Sequence, residues 1–175
     1  MNTTKQPILM GGLVGGVLAL LFSLLVIFVP DLATILGWVS CLVVPIVATY
    51  LAISMHTNAV GAITAGEGAK LGALALALAG LLSSVIMQLL QLVHVVPTQQ
   101  EIMDRQWEIQ AEKMSSQGMS AEQIEQARAM GESIAGVFTN PVVAIISSVA
   151  MYAILGAVIG AIAAAVLSKN KSAQA

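Results

Sequence analysis

The chain has 175 residues, 58% of them hydrophobic and only 9% charged, with a formal net charge of −2. Soluble domains run about 45–50% apolar and about 25% charged, so a water-soluble fold of this size lacks the polar residues to cover such a core. The weakly acidic balance also excludes a basic nucleic-acid surface, and the single cysteine, Cys41, excludes an internal disulfide.

Four apolar runs, at about 8–29, 32–54, 66–96 and 142–168, each exceed the roughly 20 residues that cross a bilayer as a helix. The expected fold is therefore all-α, a single polytopic membrane domain of four transmembrane helices. The first run follows Lys5 as a signal peptide would, but a signal core spans only about 7–15 residues. Phe28, Val29 and Pro30 occupy the place of a small-residue cleavage site, so the run reads as a span. Pro30-Asp31 turns the chain into the second run, which Pro45 interrupts.

The flanking basic residues set the expected orientation. Lys5, Lys70, Lys169 and Lys171 share one side, read as the cytoplasm, together with both termini. The other side holds the Pro30-Asp31 turn and a long segment at about 98–139. There Arg105, Lys113 and Arg128 are outnumbered by Glu101, Asp104, Glu108, Glu112, Glu122, Glu125 and Glu132.

That segment reads as an extracytoplasmic amphipathic helical hairpin between the third and fourth spans. Thr98 with Glu101 forms a capping box that opens the first helix. Met103, Trp107, Ala111 and Met114 fall on one face of it, and Gly118 stops it. Ser120 with Gln123 opens a second helix, whose apolar face is Ile124, Ala127, Met130, Ile134 and Val137. Asn140-Pro141 ends it. The two stripes are expected to pack on each other; headgroups or a partner are the alternatives.

Lipid tails are as apolar as Leu, so spans associate through small residues that let backbones approach. Gly11, Gly12, Gly15 and Gly16 supply such a face in the first span. Gly68 and Gly72 supply one in the third, which adds the pairs Ala73 with Ala77 and Ala75 with Ala79, and Gly156 with Gly160, extended by Ala161 with Ala165, one in the fourth. Packing within one chain uses most of these, and a seam between two copies is the competing use.

Ionisable side chains, which mark ion paths at mid-membrane, are missing from the centre of every run. The deepest strongly polar group is Gln88, about seven residues past the midpoint of the third span and so about 10 Å off centre. With Ser84, Gln91 and His94 it makes a weak polar stripe, for which hydrogen bonds to Ser147, Ser148 or Tyr152 suffice. Small multidrug exporters, of similar size, require a membrane-embedded Glu in the first span, and none stands here. His56 and His94 lie on opposite sides of the membrane, so no metal site forms. No nucleophile–base set and no cofactor motif is present. Gly66-Glu67-Gly68-Ala69-Lys70-Leu71-Gly72 resembles a phosphate loop but lacks its GK[ST] ending and preceding strand.

That stretch has a local logic of its own. Thr64 and Glu67 make a capping box, and Lys70 stands within ion-pair reach of Glu67. Ile63, Gly66, Glu67, Lys70 and Gly72, with Thr64 in place of Ser, also resemble the motif before the third span of a bacterial family of four-helix membrane proteins, domain of unknown function 4199. Ala65 and Ala69 stand where that family often has aromatics. The likeness extends to two leading spans, a junction like Gly118-Met119-Ser120-Ala121-Glu122-Gln123-Ile124, a Gly-rich last span and a basic tail. It implies architecture and a bacterial inner-membrane location, but no catalytic residues.

The reading is a non-enzymatic inner-membrane protein with a structural, assembly or partner-binding role. Its partners are the lipid bilayer and a membrane protein or second copy, without nucleic acid. Glu67, Lys70, Gly72, Gln88, Gln91 and Trp107 are the interaction candidates. The alternative is a small transporter or channel for a neutral or lipid-like solute, using Ser84, Gln88, Gln91 and the Pro45 kink.

Overall fold

The computed structural model describes residues 4–29, 32–138 and 140–172, without the side chains of residues 33, 34, 99, 133–138 and 168–172. The Pro30-Asp31 turn and the side chains of Ile134, Val137, Lys169 and Lys171 thus lie outside the described set. Six α-helices and no strand occur among the described residues: α1 (Lys5–Phe28), α2 (Ala33–Val60), α3 (Ala65–Leu92), α4 (Gln99–Ser116), α5 (Ala121–Phe138) and α6 (Pro141–Ser172). Helices α1, α2, α3 and α6 are long and apolar enough to cross a membrane.

Two compact units result. One comprises the chain up to Met87 together with the chain from Ile145 onward, and the other is Gln88–Ala144.

The first unit reverses the soluble pattern of large residues inside. In α1 the buried positions are Pro7, Gly11, Gly12, Gly15, Gly16 and Ala19, whereas Leu13, Val17, Leu21 and Leu25 are exposed. Its core is dominated by alanines, Ala48, Ala52, Ala75, Ala79 and Ala164, with Val44, Ile53, Leu71 and Leu76 between them. Small residues dominate the helix contacts and most large ones face out, as expected when the solvent is itself apolar.

The glycines decide how close the helices come. A Cβ added at Gly11 would stand 2.7 Å from the Ala48 carbonyl oxygen and 2.9 Å from the Ala52 Cβ. At Gly15 it would stand 2.7 Å from the Ala48 Cβ and 3.0 Å from the Ala79 Cβ. Helix α1 therefore lies in a seat formed by α2 and α3. The second span, which has no glycine motif, contributes to it through Ala48 and Ala52. Gly68 and Gly72 of α3 meet Gly160 and Gly156 of α6, backbone against backbone. A Cβ at any of these four would overlap a carbonyl oxygen of the facing helix. All three glycine faces are thus used within one chain.

Helix α6 is the least enclosed of the four. Among its described side chains only Gly156, Gly160 and Ala164 are buried, one per turn along a single line. Val142, Ile146, Met151, Ile154, Val158, Ile162 and Val166 are all exposed.

The helix ends follow from local chemistry. Pro45 lies inside α2 and is fully buried; it lacks the N–H that would bond the Cys41 carbonyl. Helix α2 runs on past Ser54 to Val60, where Gly61 takes φ +91°. Helix α3 stops at Leu92. There His94, at φ 55°, donates its N–H to the Gln91 carbonyl at 3.0 Å, while Val95 donates to the Leu90 carbonyl at 3.0 Å. This is a Schellman closure with a histidine in the position glycine usually holds.

In the second unit, α4 and α5 pack against each other. The Thr98–Glu101 capping box is complete, and Gly118 at φ +85° closes α4, with Met119 bonding the Met114 carbonyl at 3.1 Å. Ser120 and Gln123 exchange bonds of 3.0 and 3.3 Å to open α5. Asn140 Oδ1 accepts from the Val142 N–H at 3.0 Å and starts α6. Met103, Trp107, Ala111 and Met114 are partly buried on α4, and so are Ile124 and Ala127 on α5. Met130, expected on that face, is 70% exposed. It comes six residues after Ile124, more than a turn and a half, and this carries it away from the seam with α4.

Candidate functional site

The candidate residues fall at three places. At one end of the first unit, Glu67 returns to its own helix start. Its Oε2 accepts from the Thr64 N–H at 2.8 Å, and Thr64 Oγ1 accepts from the Glu67 N–H at 3.2 Å. Lys70 is exposed. The expected Glu67–Lys70 ion pair does not form: among the described residues the salt bridge is Arg128–Glu132. The capping geometry turns the Glu67 carboxylate toward Thr64 and away from the following turn. Helices α1 and α3 run parallel, Gly11 beside Ala75 and Gly15 beside Ala79, so Lys5 and Lys70 come to the same end of the unit.

Gly72 sits in the α3–α6 crossing and has a packing role. Further along that crossing, Ser84 Oγ donates to Ser148 Oγ at 2.8 Å, and the Tyr152 ring rests against Gly80. The serine of the polar stripe is therefore satisfied by the opposing helix. Gln91 is buried and donates its side-chain amide to the Pro97 carbonyl at 3.3 Å, which ties down the turn after α3. Gln88 is half-buried.

Trp107 lies in the second unit, in an open groove between α4 and α5 of about 180 Å³. Met103 and Asp104 line it on the α4 side, and Arg128, Gly131 and Glu132 on the α5 side. Arg128 Nε donates to Glu132 Oε1 at 2.7 Å. That bond raises the Arg128 pKa above its ordinary value, with smaller contributions from the charges of Glu125 and Asp104. Sequence reasoning had Trp107 as part of an apolar stripe. It missed the groove, because Asp104 and Arg128 are far apart in the chain and only the α4–α5 packing brings them together.

No group of three or more His, Cys, Asp or Glu side chains arranged to hold a metal occurs among the described residues.

A model of the family described as "Protein of unknown function (DUF4199)" matches residues 10–169. The chain belongs to this family. The match takes in most of α1, the Thr64–Gly72 motif, the hairpin and most of α6. The layout that the family resemblance implied is thus carried by nearly the whole chain. No curated protein and no solved structure matches it.

Proposed function

We propose that this family member is a multi-pass protein of the bacterial inner membrane that works without catalysis, as a structural or partner-binding component. Both termini would be cytoplasmic and the α4–α5 hairpin extracytoplasmic. The observation that carries the reading is the first unit's interior, where glycine and alanine backbones interlock and Ser84 is satisfied by Ser148. Such an interior supports a packed scaffold. The hairpin, with its exposed charges and its groove, is the surface on which specificity would reside.

Two measurements test this. In a Cys41→Ser background, a membrane-impermeant maleimide should label Gln110→Cys but not Lys70→Cys in intact cells; the reverse pattern contradicts the orientation. Purification in mild detergent should recover the same stoichiometric partner in independent preparations. A chain recovered alone under every condition counts against the role.

A second reading, transport of a neutral or lipid-like solute, draws on Thr49. This side chain is fully buried, one turn after Pro45, and its hydroxyl has no hydrogen-bond partner among the described residues. A buried hydroxyl left unmatched costs about 1–3 kcal/mol, and a passing polar solute could relieve that cost. Equal flux in vesicles carrying wild type, Thr49→Val or Gln88→Leu would sink this reading.

A further inference from the structure

The hairpin groove has features that packing alone does not explain. Gly131 lies in the interior of α5, where glycine costs about 0.5–1 kcal/mol relative to alanine. A Cβ added at any glycine of the α1 and α6 crossings would come within 3.2 Å of a neighbour. A Cβ at Gly131 would meet nothing within 4 Å. The missing side chain leaves the groove open opposite Trp107 and Met103 instead of letting two helices approach.

The charge is also unbalanced. Asp104 and Glu132 line the groove, Glu125 stands close enough to act on Arg128, and that single guanidinium is already bonded to Glu132. The groove therefore has a surplus of carboxylate beside the partly buried Trp107. An indole face binds cations through its quadrupole more strongly than any other side-chain ring. At about 180 Å³ the groove is larger than a single-water site and has room for a small substituted ammonium group.

We propose that the groove between α4 and α5 binds an alkylammonium group, stacked on Trp107 and Met103 and neutralised by Asp104. Glu132 neutralises Arg128 in the groove wall, and Gly131 keeps the opening clear. The ammonium belongs either to a free small amine or to a lipid headgroup, whose chemistry is the same. This goes beyond the partner-binding reading and stands or falls separately from it.

The chain has two tryptophans, so Trp38→Phe leaves Trp107 as the sole indole reporter. Choline titrated into that full-length protein in detergent, at constant ionic strength, should change Trp107 emission saturably. The neutral isostere 3,3-dimethylbutan-1-ol should not. Asp104→Asn should weaken choline binding by roughly threefold or more. Gly131→Leu should abolish it while helix content by circular dichroism stays unchanged. In nanodiscs of equal phosphatidylglycerol content, a choline midpoint raised when phosphatidylethanolamine replaces an uncharged glycolipid assigns the site to headgroups; equal midpoints assign it to free amines. A response shared by the neutral isostere, absence of saturation, or full binding in Gly131→Leu overturns the proposal.

Discussion

The two units of this protein are held together by opposite means. In the first, side chains are removed where helices meet: glycines and alanines line the contacts of α1, α3 and α6, a few larger residues such as Ile53 and Leu76 fill the space between them, and most bulky residues point away. In the second, side chains are added where helices end, a device the first unit uses at the exposed start of α3, where Thr64 pairs with Glu67. Thr98 with Glu101 and Ser120 with Gln123 cap the two helices, and Gly118 closes the turn between them. The difference follows from the solvent each sequence suits. In an apolar medium burying Leu gains little, so contact depends on backbone approach. In water, unpaired backbone groups at helix ends are the liability, and caps remove it.

The contrast is broken most severely by adding volume at the α3–α6 crossing. Gly72→Val places its Cβ on the Gly156 carbonyl and should lower stability by the upper end of the about 1–3 kcal/mol typical of overpacking, read as a fall in the thermal midpoint in detergent. Gly37→Ala is the matched control. Its added Cβ meets nothing within 4 Å, and the change should be neutral or stabilising by about 0.5–1 kcal/mol. Equal losses in both would mean that helix propensity, not approach, governs these glycines.

In the hairpin, Thr98→Ala removes a complete capping box and should cost about 1 kcal/mol. Hydrogen exchange should locate the loss in the first turn of α4, with the α3–α6 crossing unaffected. His94→Gly should act in the other direction. A left-handed residue other than glycine carries a penalty of about 1–2 kcal/mol, and relieving part of it should raise protection around Val93–Val95. Ser84→Ala breaks a single interhelical bond and should cost about 0.6 kcal/mol, the usual scale for such bonds in membrane proteins.

The smallest effect is a pH dependence. The Thr98 backbone N–H and then its hydroxyl hold the Glu101 carboxyl below the usual carboxylate range. The folded pKa is depressed, so the cap's contribution is complete above the unfolded value of about 4.3. It is lost as pH falls through the lower folded value. The Thr98 amide resonance should titrate in that acid window in the wild type and not in Glu101→Gln.

Much of this was legible in the sequence because it is local. Hydropathy marked the long helices, and the Thr-x-x-Glu and Ser-x-x-Gln spacings marked the helix starts. What stayed hidden depends on pairing or on backbone state. The motif Gly68-x-x-x-Gly72 does not say whether it meets Gly156-x-x-x-Gly160 or a second copy of itself. Ala48 and Ala52 attract no attention in a chain full of alanine, yet they seat α1. The stop at Leu92 rests on a positive φ at His94, which no residue type announces. The Glu67–Lys70 pair was within reach by spacing, but the cap on Thr64 fixes the direction in which the Glu67 carboxylate points, and Lys70 forms no ion pair with it.

The central claim is that the small-residue faces close within one chain. It is tested most directly by Ser84→Cys with Ser148→Cys in a Cys41→Ser background, since the native hydroxyls stand 2.8 Å apart. Mild oxidation should give an intramolecular disulfide in nearly every molecule, running as a monomer on a non-reducing gel. Disulfide-linked dimers, or free thiols at both positions after oxidation, would contradict it.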